Sequence, residues 1–333
     1  MRRMLILGGT AWLGRAIAAA AVASGTDVVC LARGEAGLIA PGSRLVRADR
    51  RDPHAYDALG GEWDDVVELS WDPEFVASGL DALADRAGHW TLVSSVSVYA
   101  RSDTPFADED AELVEPADPS QYADAKVHAE RLTSQRLGDR ALLARAGLIV
   151  GPGDPTDRFG YWPARFALGG RVLTPKAAGR YVQGIDVDDL AAWIERAGRA
   201  RVAGPINAVG EEYPLAAVLA ASQAAAGEES ETVALDDATL EAHGVQYWMG
   251  PRSLPLWLPA EARGFSRRSD AAFVASGGRR RPLPETVRRT LDDERARGVD
   301  RPRGAGLTPA EETEVLAGSS RHSPSARGDS QSA

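Results

Sequence analysis

Residues Met4-Leu5-Ile6-Leu7-Gly8-Gly9-Thr10-Ala11-Trp12-Leu13-Gly14-Arg15 decide the fold. Four apolar residues run into a glycine pair, and an alanine-rich stretch from Trp12 to Ser24 follows before Gly25. That order reads as a buried strand, a tight turn and a helix. Glycines in the turn permit a sharp bend and close approach of a pyrophosphate, and the helix then aims its free N–H groups at the anion. Glycine spacing alone is weak evidence; its position between the first strand and the first helix gives it weight. Met1-Arg2-Arg3 ahead of the apolar run imitates a signal peptide, but the run breaks at Gly8, and Arg15 stands where it would have to continue.

Outward from this segment, short apolar runs alternate with helical stretches. Strands are expected at Asp27 to Ala32, Arg44 to Ala48, Asp65 to Leu69, Trp90 to Ser94 and Ala141 to Ala144. Helical segments are expected near 53–59, 74–87 and 119–137. Such alternation implies right-handed crossovers and a parallel sheet covered on both faces, an α/β doubly wound fold. After about 150 the pattern loosens. Phe159 to Leu168 reads as a helix, Val182 to Ile185 as a strand, Asp186 to Gly198 as a helix with acids in its first turn, and Pro205 to Val209 as a strand. Residues 1–150 are therefore assigned to a nucleotide-binding domain, with 180–210 returning to its sheet. Residues 151–179 and 211–303 form a smaller substrate lobe. The Ser-, Gly- and charge-rich segment 304–333 reads as a largely disordered tail.

Composition narrows the function. The 333 residues carry a net charge of −10, which argues against nucleic acid and against anionic membrane surfaces as partners. No apolar stretch approaches the length of a membrane span. The single cysteine, Cys30, permits no internal disulfide framework or cysteine metal site and fits a reducing, cytoplasmic setting; no metal site is expected. Of 38 basic residues only Lys126 and Lys176 are lysines.

One of those two stands in Tyr122-Ala123-Asp124-Ala125-Lys126. On a helix, positions four apart share a face, so a phenol and an ammonium can point into one cleft. A tyrosine titrates near ~10, too high for ready proton exchange at neutral pH, and a nearby cation lowers that value. The pair makes a usable acid/base. The end of the second strand, Ala32-Arg33-Gly34, carries a base and no acid. In a sheet of this kind that position faces the adenosine ribose, and Arg33, helped by Arg15, suits a 2′-phosphate; NADP is favoured over NAD.

Taken together, these segments resemble the extended short-chain dehydrogenase/reductase superfamily, the NAD-dependent epimerase/dehydratase group, over roughly residues 4 to 210. Leu7 to Gly14 is similar to its T-G-x-x-G-x-x-G turn, with Ala11 in place of the middle glycine and Leu7 in place of the Thr. The resemblance implies a Rossmann fold in which Gly8, Gly9, Thr10, Ala11, Trp12, Leu13, Gly14 and Arg15 line the phosphate turn. It implies that Asp49, in Asp49-Arg50-Arg51-Asp52, reaches the adenine. Ser94-Ser95-Val96-Ser97-Val98-Tyr99 resembles the S-S-x-x-V-Y segment, which makes Ser95 the catalytic hydroxyl beside Tyr122 and Lys126, with Ser97 lining the site. Arg145-Ala146-Gly147-Leu148 resembles R-P-x-N, with Leu148 replacing an Asn that helps hold a sugar diphosphate. Val96 and Ser97 replace the Asp-Glu pair of sugar 4,6-dehydratases. Trp71 is bulky beside the expected nicotinamide side.

The implied activity is hydride transfer at an alcohol or carbonyl carbon of a small molecule. An epimerase of a sugar or nucleotide sugar uses the same residues and retains its cofactor. A protein that binds NAD(P) without turnover is the third reading, and relatives of that kind lose the Tyr or the Lys. Phe159, Tyr161, Trp162 and Arg165 are candidates for substrate recognition, with lobe core as their alternative. Pairing through the Tyr/Lys helix in a homodimer follows by analogy.

Overall fold

Leu5, Ile6 and Leu7 are wholly buried, so β1 (Arg3–Leu7) lies in the middle of a sheet with both faces covered. The computed structural model describes residues 1–319. After β1 come α1 (Trp12–Ala23), β2 (Asp27–Ala32), β3 (Arg44–Arg47), β4 (Asp65–Glu68), α2 (Pro73–Leu83), β5 (Trp90–Ser95), α3 (Tyr122–Leu137) and β6 (Ala141–Ala146). These strands and a later one, residues 204–208, form a seven-stranded parallel sheet in the order β3-β2-β1-β4-β5-β6 and then that last strand. The fold is a Rossmann doubly wound sheet. Chain order reverses between β1 and β4, and that switch opens a crevice at the carboxyl ends of the strands.

Side chains alternate between two core layers. Met4, Ile6, Ile17, Cys30 and Val67 fill one face under α1; Leu5, Leu7, Leu80, Trp90 and Ala129 fill the other under α2 and α3. The helix expected at 53–59 is absent. Residues there close single turns, Asp57 N to His54 O and Leu59 N to Tyr56 O, which seat Ala55, Tyr56 and Leu59 in the core without propagating a helix.

Beyond β6 the chain forms β7 (Leu148–Val150), α4 (Arg158–Ala167), β8 (Gly170–Pro175), β9 (Tyr181–Asp186), α5 (Val187–Ala200) and β10 (Gly204–Ala208). Of the segment expected to return to the sheet, β10 joins β6, and α5 packs beside α1. The strand β9 instead pairs with β7 and with β11 (Glu212–Pro214) in a separate three-stranded sheet. Next come α6 (Leu215–Ala226), β12 (Ser230–Leu235), α7 (Asp237–Ala242), β13 (Gln246–Trp248), β14 (Ser253–Pro255), α8 (Ala271–Ala275), α9 (Leu283–Arg297) and α10 (Pro309–Ser319). A second apolar core gathers Trp162, Phe166, Leu254, Trp257, Val287 and Val315.

The expectation of a largely disordered tail from 304 needs correction over its first part. Residues 309–319 form α10, which buries Val315 and Leu316. Its Glu312 accepts from Arg165 Nε at 2.6 Å and from Leu173 N at 2.8 Å. Burial of two apolar residues and a matched ion pair outweighs a local composition that reads as disordered. Residues 320–333 lie outside the described residues.

The lobe is clamped to the sheet through α5. Asp186 caps that helix by accepting from Asp188 N, and it also meets Arg289 at 2.9 Å and Arg281 at 3.4 Å; Asp189 holds Arg281 at 2.7 Å. Burial raises the Asp186 carboxyl to about 7, with the backbone N–H bond and Arg281 opposing. Among the described residues no helix is long and apolar enough to cross a membrane.

Candidate active site

The turn after β1 is shaped by contacts that only glycine allows. Gly8 takes φ +105°, a region that favours glycine. A Cβ on Gly9 would sit 2.3 Å from Cys30 Sγ, and one on Gly14 would sit 2.5 Å from Gly8 O. The turn is thereby pressed against β2, and α1 is pressed against the turn. Helix α1 starts at Trp12 with no side-chain cap and no acid in its first turn. Its first N–H groups and the positive end of its dipole thus remain open to an anion.

Two cavities meet at this turn. The first, about 450 Å³, is lined by Gly8, Thr10, Ala11, Arg33, Asp49 and Phe75 among others. Asp49 is half-exposed there and accepts from Arg51 N. Arg33 sits at the rim and pairs with Glu35 at 3.3 Å. Arg15 is exposed and lines neither cavity. The second cavity, about 600 Å³, is lined by Trp12, Leu13, Ser95, Ser97, Tyr122 and Lys126 among others. Leu69 and Trp71 border both. An uncapped helix end, a turn whose glycines admit close approach and two adjoining cavities fit an elongated dinucleotide.

The helix α3 carries Tyr122, 47% exposed, and the buried Lys126 one turn apart, and both line the second cavity. The Lys126 Nζ donates to Val93 O at 2.6 Å and Ser70 O at 3.2 Å, and it lies 6.0 Å from the Tyr122 ring centroid. Burial pushes this ammonium down to about 8, with Glu68 and Glu130 opposing. One turn further, Glu130 holds the buried Arg145 at 2.9 Å. Arg145 also bonds the Tyr99 hydroxyl at 3.0 Å and does not line the second cavity.

Ser95 ends β5 and accepts from Ser97 N at 3.1 Å, which turns its hydroxyl into the cavity. Burial raises the Tyr122 phenol; the Ser95 hydroxyl and the Arg158 charge act in the opposite direction. The structure therefore brings Ser95, Ser97, Tyr122 and Lys126 to one cavity, with Leu148 and Trp71 in its walls.

The substrate-recognition candidates fare differently. Phe159, Tyr161 and Trp162 are lobe core, each at most 2% exposed, and Arg165 pairs with Glu312. The spacing 159, 162, 166 is an apolar helical stripe, a signal that could have marked Phe159 and Trp162 as core. The lobe instead presents Thr156, Arg158, Trp248, Met249 and Phe265 to the cavity. Sequence reasoning did not single these out. Arg158 precedes the stripe as a lone charge, and Trp248 and Phe265 arrive from distant turns.

The loop before α4 is fixed from several sides. Trp12 Nε1 donates to Pro152 O at 2.8 Å, and Gly153 N donates to Asp293 Oδ2 at 2.9 Å. Asp157, with φ +58°, pairs with Arg301 and accepts from Gly304 N at 2.9 Å.

No family model matches this sequence, and no curated protein matches it in sequence. Solved structures match in fold. A candidate epimerase from Burkholderia cenocepacia J2315 is 24% identical with a TM-score of 0.68, over 89% of this chain and 98% of that one. UDP-glucose 4-epimerase of Thermus thermophilus, in complex with NAD, is 21% identical with a TM-score of 0.62, over 88% and 99%. UDP-N-acetylglucosamine 4-epimerase from Bacillus cereus is 14% identical with a TM-score of 0.66, over 91% and 99%. This likeness establishes the fold.

Proposed function

We propose that the chain is an NAD(P)-dependent oxidoreductase acting at an alcohol or carbonyl carbon of a small organic molecule. The observation that carries this reading is the convergence of Ser95, Tyr122 and Lys126 in one cavity that adjoins the glycine turn. A bound nicotinamide supplies or accepts the hydride. Every other part of the chemistry falls to the chain. Tyr122, a phenol that is protonated at neutral pH, gives its proton to a carbonyl oxygen. Ser95 hydrogen-bonds that oxygen and stabilises its developing charge. Lys126, anchored by two carbonyls, places a cation beneath the site, and its remaining N–H would hold the ribose hydroxyls of a bound nucleotide. Leu69 and Trp71 form the wall shared by the two cavities, and Trp12 lines the second beside them.

Arg33 at the rim of the adenosine-side cavity favours NADP, although Glu35 competes for its guanidinium. The epimerase reading is supported by the solved epimerases that share the fold. Against it, the catalytic cavity has no Asn, Gln, Asp or Glu in its lining, the side chains that would satisfy sugar hydroxyls.

Titration with NADPH and NADH, on wild type and Arg33→Ala, tests the assignment. The expected result is roughly tenfold or tighter binding of NADPH, lost in the variant, together with carbonyl-dependent NADPH oxidation. Nucleotide that copurifies, does not exchange and is not consumed would move the epimerase reading ahead. Absence of binding to either nucleotide would defeat both.

A further inference from the structure

The lining of the catalytic cavity has a chemical bias of its own. Two cations reach it, Lys126 and Arg158, and no carboxylate does. This occurs in a protein with a net charge of −10. The rest of the wall is mostly apolar, with Trp12, Leu13, Trp71, Trp248, Met249 and Phe265 among its larger side chains, and a few hydroxyls. Lys126 gives two of its three N–H donors to the backbone carbonyls of Val93 and Ser70.

Arg158 differs from the matched guanidiniums of the interior. Arg50, Arg145 and Arg165 each meet a buried carboxylate, of Glu68, Glu130 and Glu312. Arg158 forms no ion pair among the described residues. Its Nε donates to Thr156 Oγ1 at 3.1 Å, and its two terminal nitrogens have no hydrogen-bond partner among them. Asp154 stands beyond ion-pair reach and connects only through Thr156, whose Oγ1 donates to Asp154 Oδ2 at 3.0 Å. The guanidinium carbon lies 5.2 Å from the centroid of the Trp248 ring. That stacking and the Thr156 bond fix the plane of the group, and its fork of free N–H donors has the geometry to receive a carboxylate bidentately. Burial lowers its affinity for its proton, with Asp154 and Tyr122 opposing, as expected for a cation whose charge is poorly matched.

We propose that the substrate is an anionic organic molecule with a carboxylate and a largely apolar body, and that Arg158 is its specificity-determining anchor. The carboxylate pairs with the free edge of Arg158, the apolar body lies against Trp248, Met249 and Phe265, and the reactive oxygen meets Tyr122 and Ser95. This deepens the oxidoreductase reading and rests on it for the position of the reactive oxygen. An oxo acid or hydroxy acid has this chemistry; a neutral polyol does not, because the wall offers it few partners for its hydroxyls.

The test uses two unreactive probes of one shape, 3-phenylpropanoate and 3-phenylpropanamide. Each is titrated into the full-length protein, wild type, Arg158→Gln and Arg158→Lys, with circular dichroism confirming the fold of each variant. Wild type is expected to bind the carboxylate about tenfold or more tightly than the amide. Arg158→Gln is expected to lose that preference, Arg158→Lys to keep part of it, and NADPH affinity to stay unchanged in both. Equal binding of the two probes by wild type, no binding of either, or a preference that survives in Arg158→Gln overturns the proposal. A fall in NADPH affinity in Arg158→Gln without a carboxylate preference also overturns it, since Arg158 would then serve the nucleotide. Should the carboxylate preference hold while no nucleotide binds, the anion site stands and the oxidoreductase reading fails.

Discussion

Trp71 sets its indole edge-on to the Tyr122 ring, with centroids 6.1 Å apart and planes at 60°. Trp71 borders both cavities, so one contact joins the expected path of the dinucleotide to the expected acid. Such a pair contributes about 0.5–1.5 kcal/mol beyond its buried area. Trp71→Ala should lower turnover roughly three- to tenfold by loosening Tyr122, with a smaller change in nucleotide affinity. Steady-state kinetics beside a nucleotide titration checks this; unchanged turnover would show that Trp71 is only a wall.

The phenol of Tyr122 is the group that transfers the proton in the proposed reaction. Tyr122→Phe should leave the melting temperature and NADPH affinity near wild type and reduce turnover by about a hundredfold or more. Residual activity close to wild type would move the acid role to another group.

Lys126 gives a pH signature. Burial pushes its ammonium down to about 8, below the usual value of 10.5. Above pH 8 the folded protein releases a proton that the unfolded chain still holds, so this residue's contribution to stability rises with pH across the interval from about 8 to the unfolded value near ~10.4. Below pH 8 both states carry the charge, and the cost of burying it is fully present. Urea titrations of wild type and Lys126→Met at several pH values should show the wild type gaining on the variant over that interval. A stability difference that does not change with pH would contradict the assignment.

Gly14 has no room for a methyl group, since its Cβ would meet a backbone oxygen at 2.5 Å. Gly14→Ala is expected to cost about 1–3 kcal/mol and to weaken nucleotide binding by displacing the turn. A variant as stable as wild type, with intact binding, would show that the turn has slack.

Glu312 of α10 matches Arg165 and caps Leu173 N within the lobe. Glu312→Ala should destabilise by about 3–5 kcal/mol, because it leaves a guanidinium without its carboxylate and the Leu173 amide without its acceptor. Adding Arg165→Met should recover part of the loss. Chemical denaturation of the single and double variants decides whether α10 is part of the lobe's core.

Much of the sheet was legible in the sequence because its causes are local. Apolar runs such as Leu5 to Leu7, glycine at Gly8 and the Tyr122/Lys126 spacing each impose a conformation or a shared face on near neighbours. The segment at 53–59 misled because helical composition over so short a span does not decide between a helix and successive turns. The α10 segment misled because its stability comes from Glu312 and Val315 meeting Arg165 and the lobe core, partners far away in the chain.

By itself, then, the sequence determined the parallel sheet, the glycine turn and the proximity of Tyr122 to Lys126, since backbone sterics and helical periodicity act within a few residues. Only the tertiary structure decided that Phe159 and Trp162 are core while Arg158 faces the cavity, that Trp248 and Phe265 close it, and that Lys126 is held by the carbonyls of Val93 and Ser70. Those outcomes depend on which distant surfaces pack together and on which buried charges find partners, and neither is written in the order of neighbouring residues.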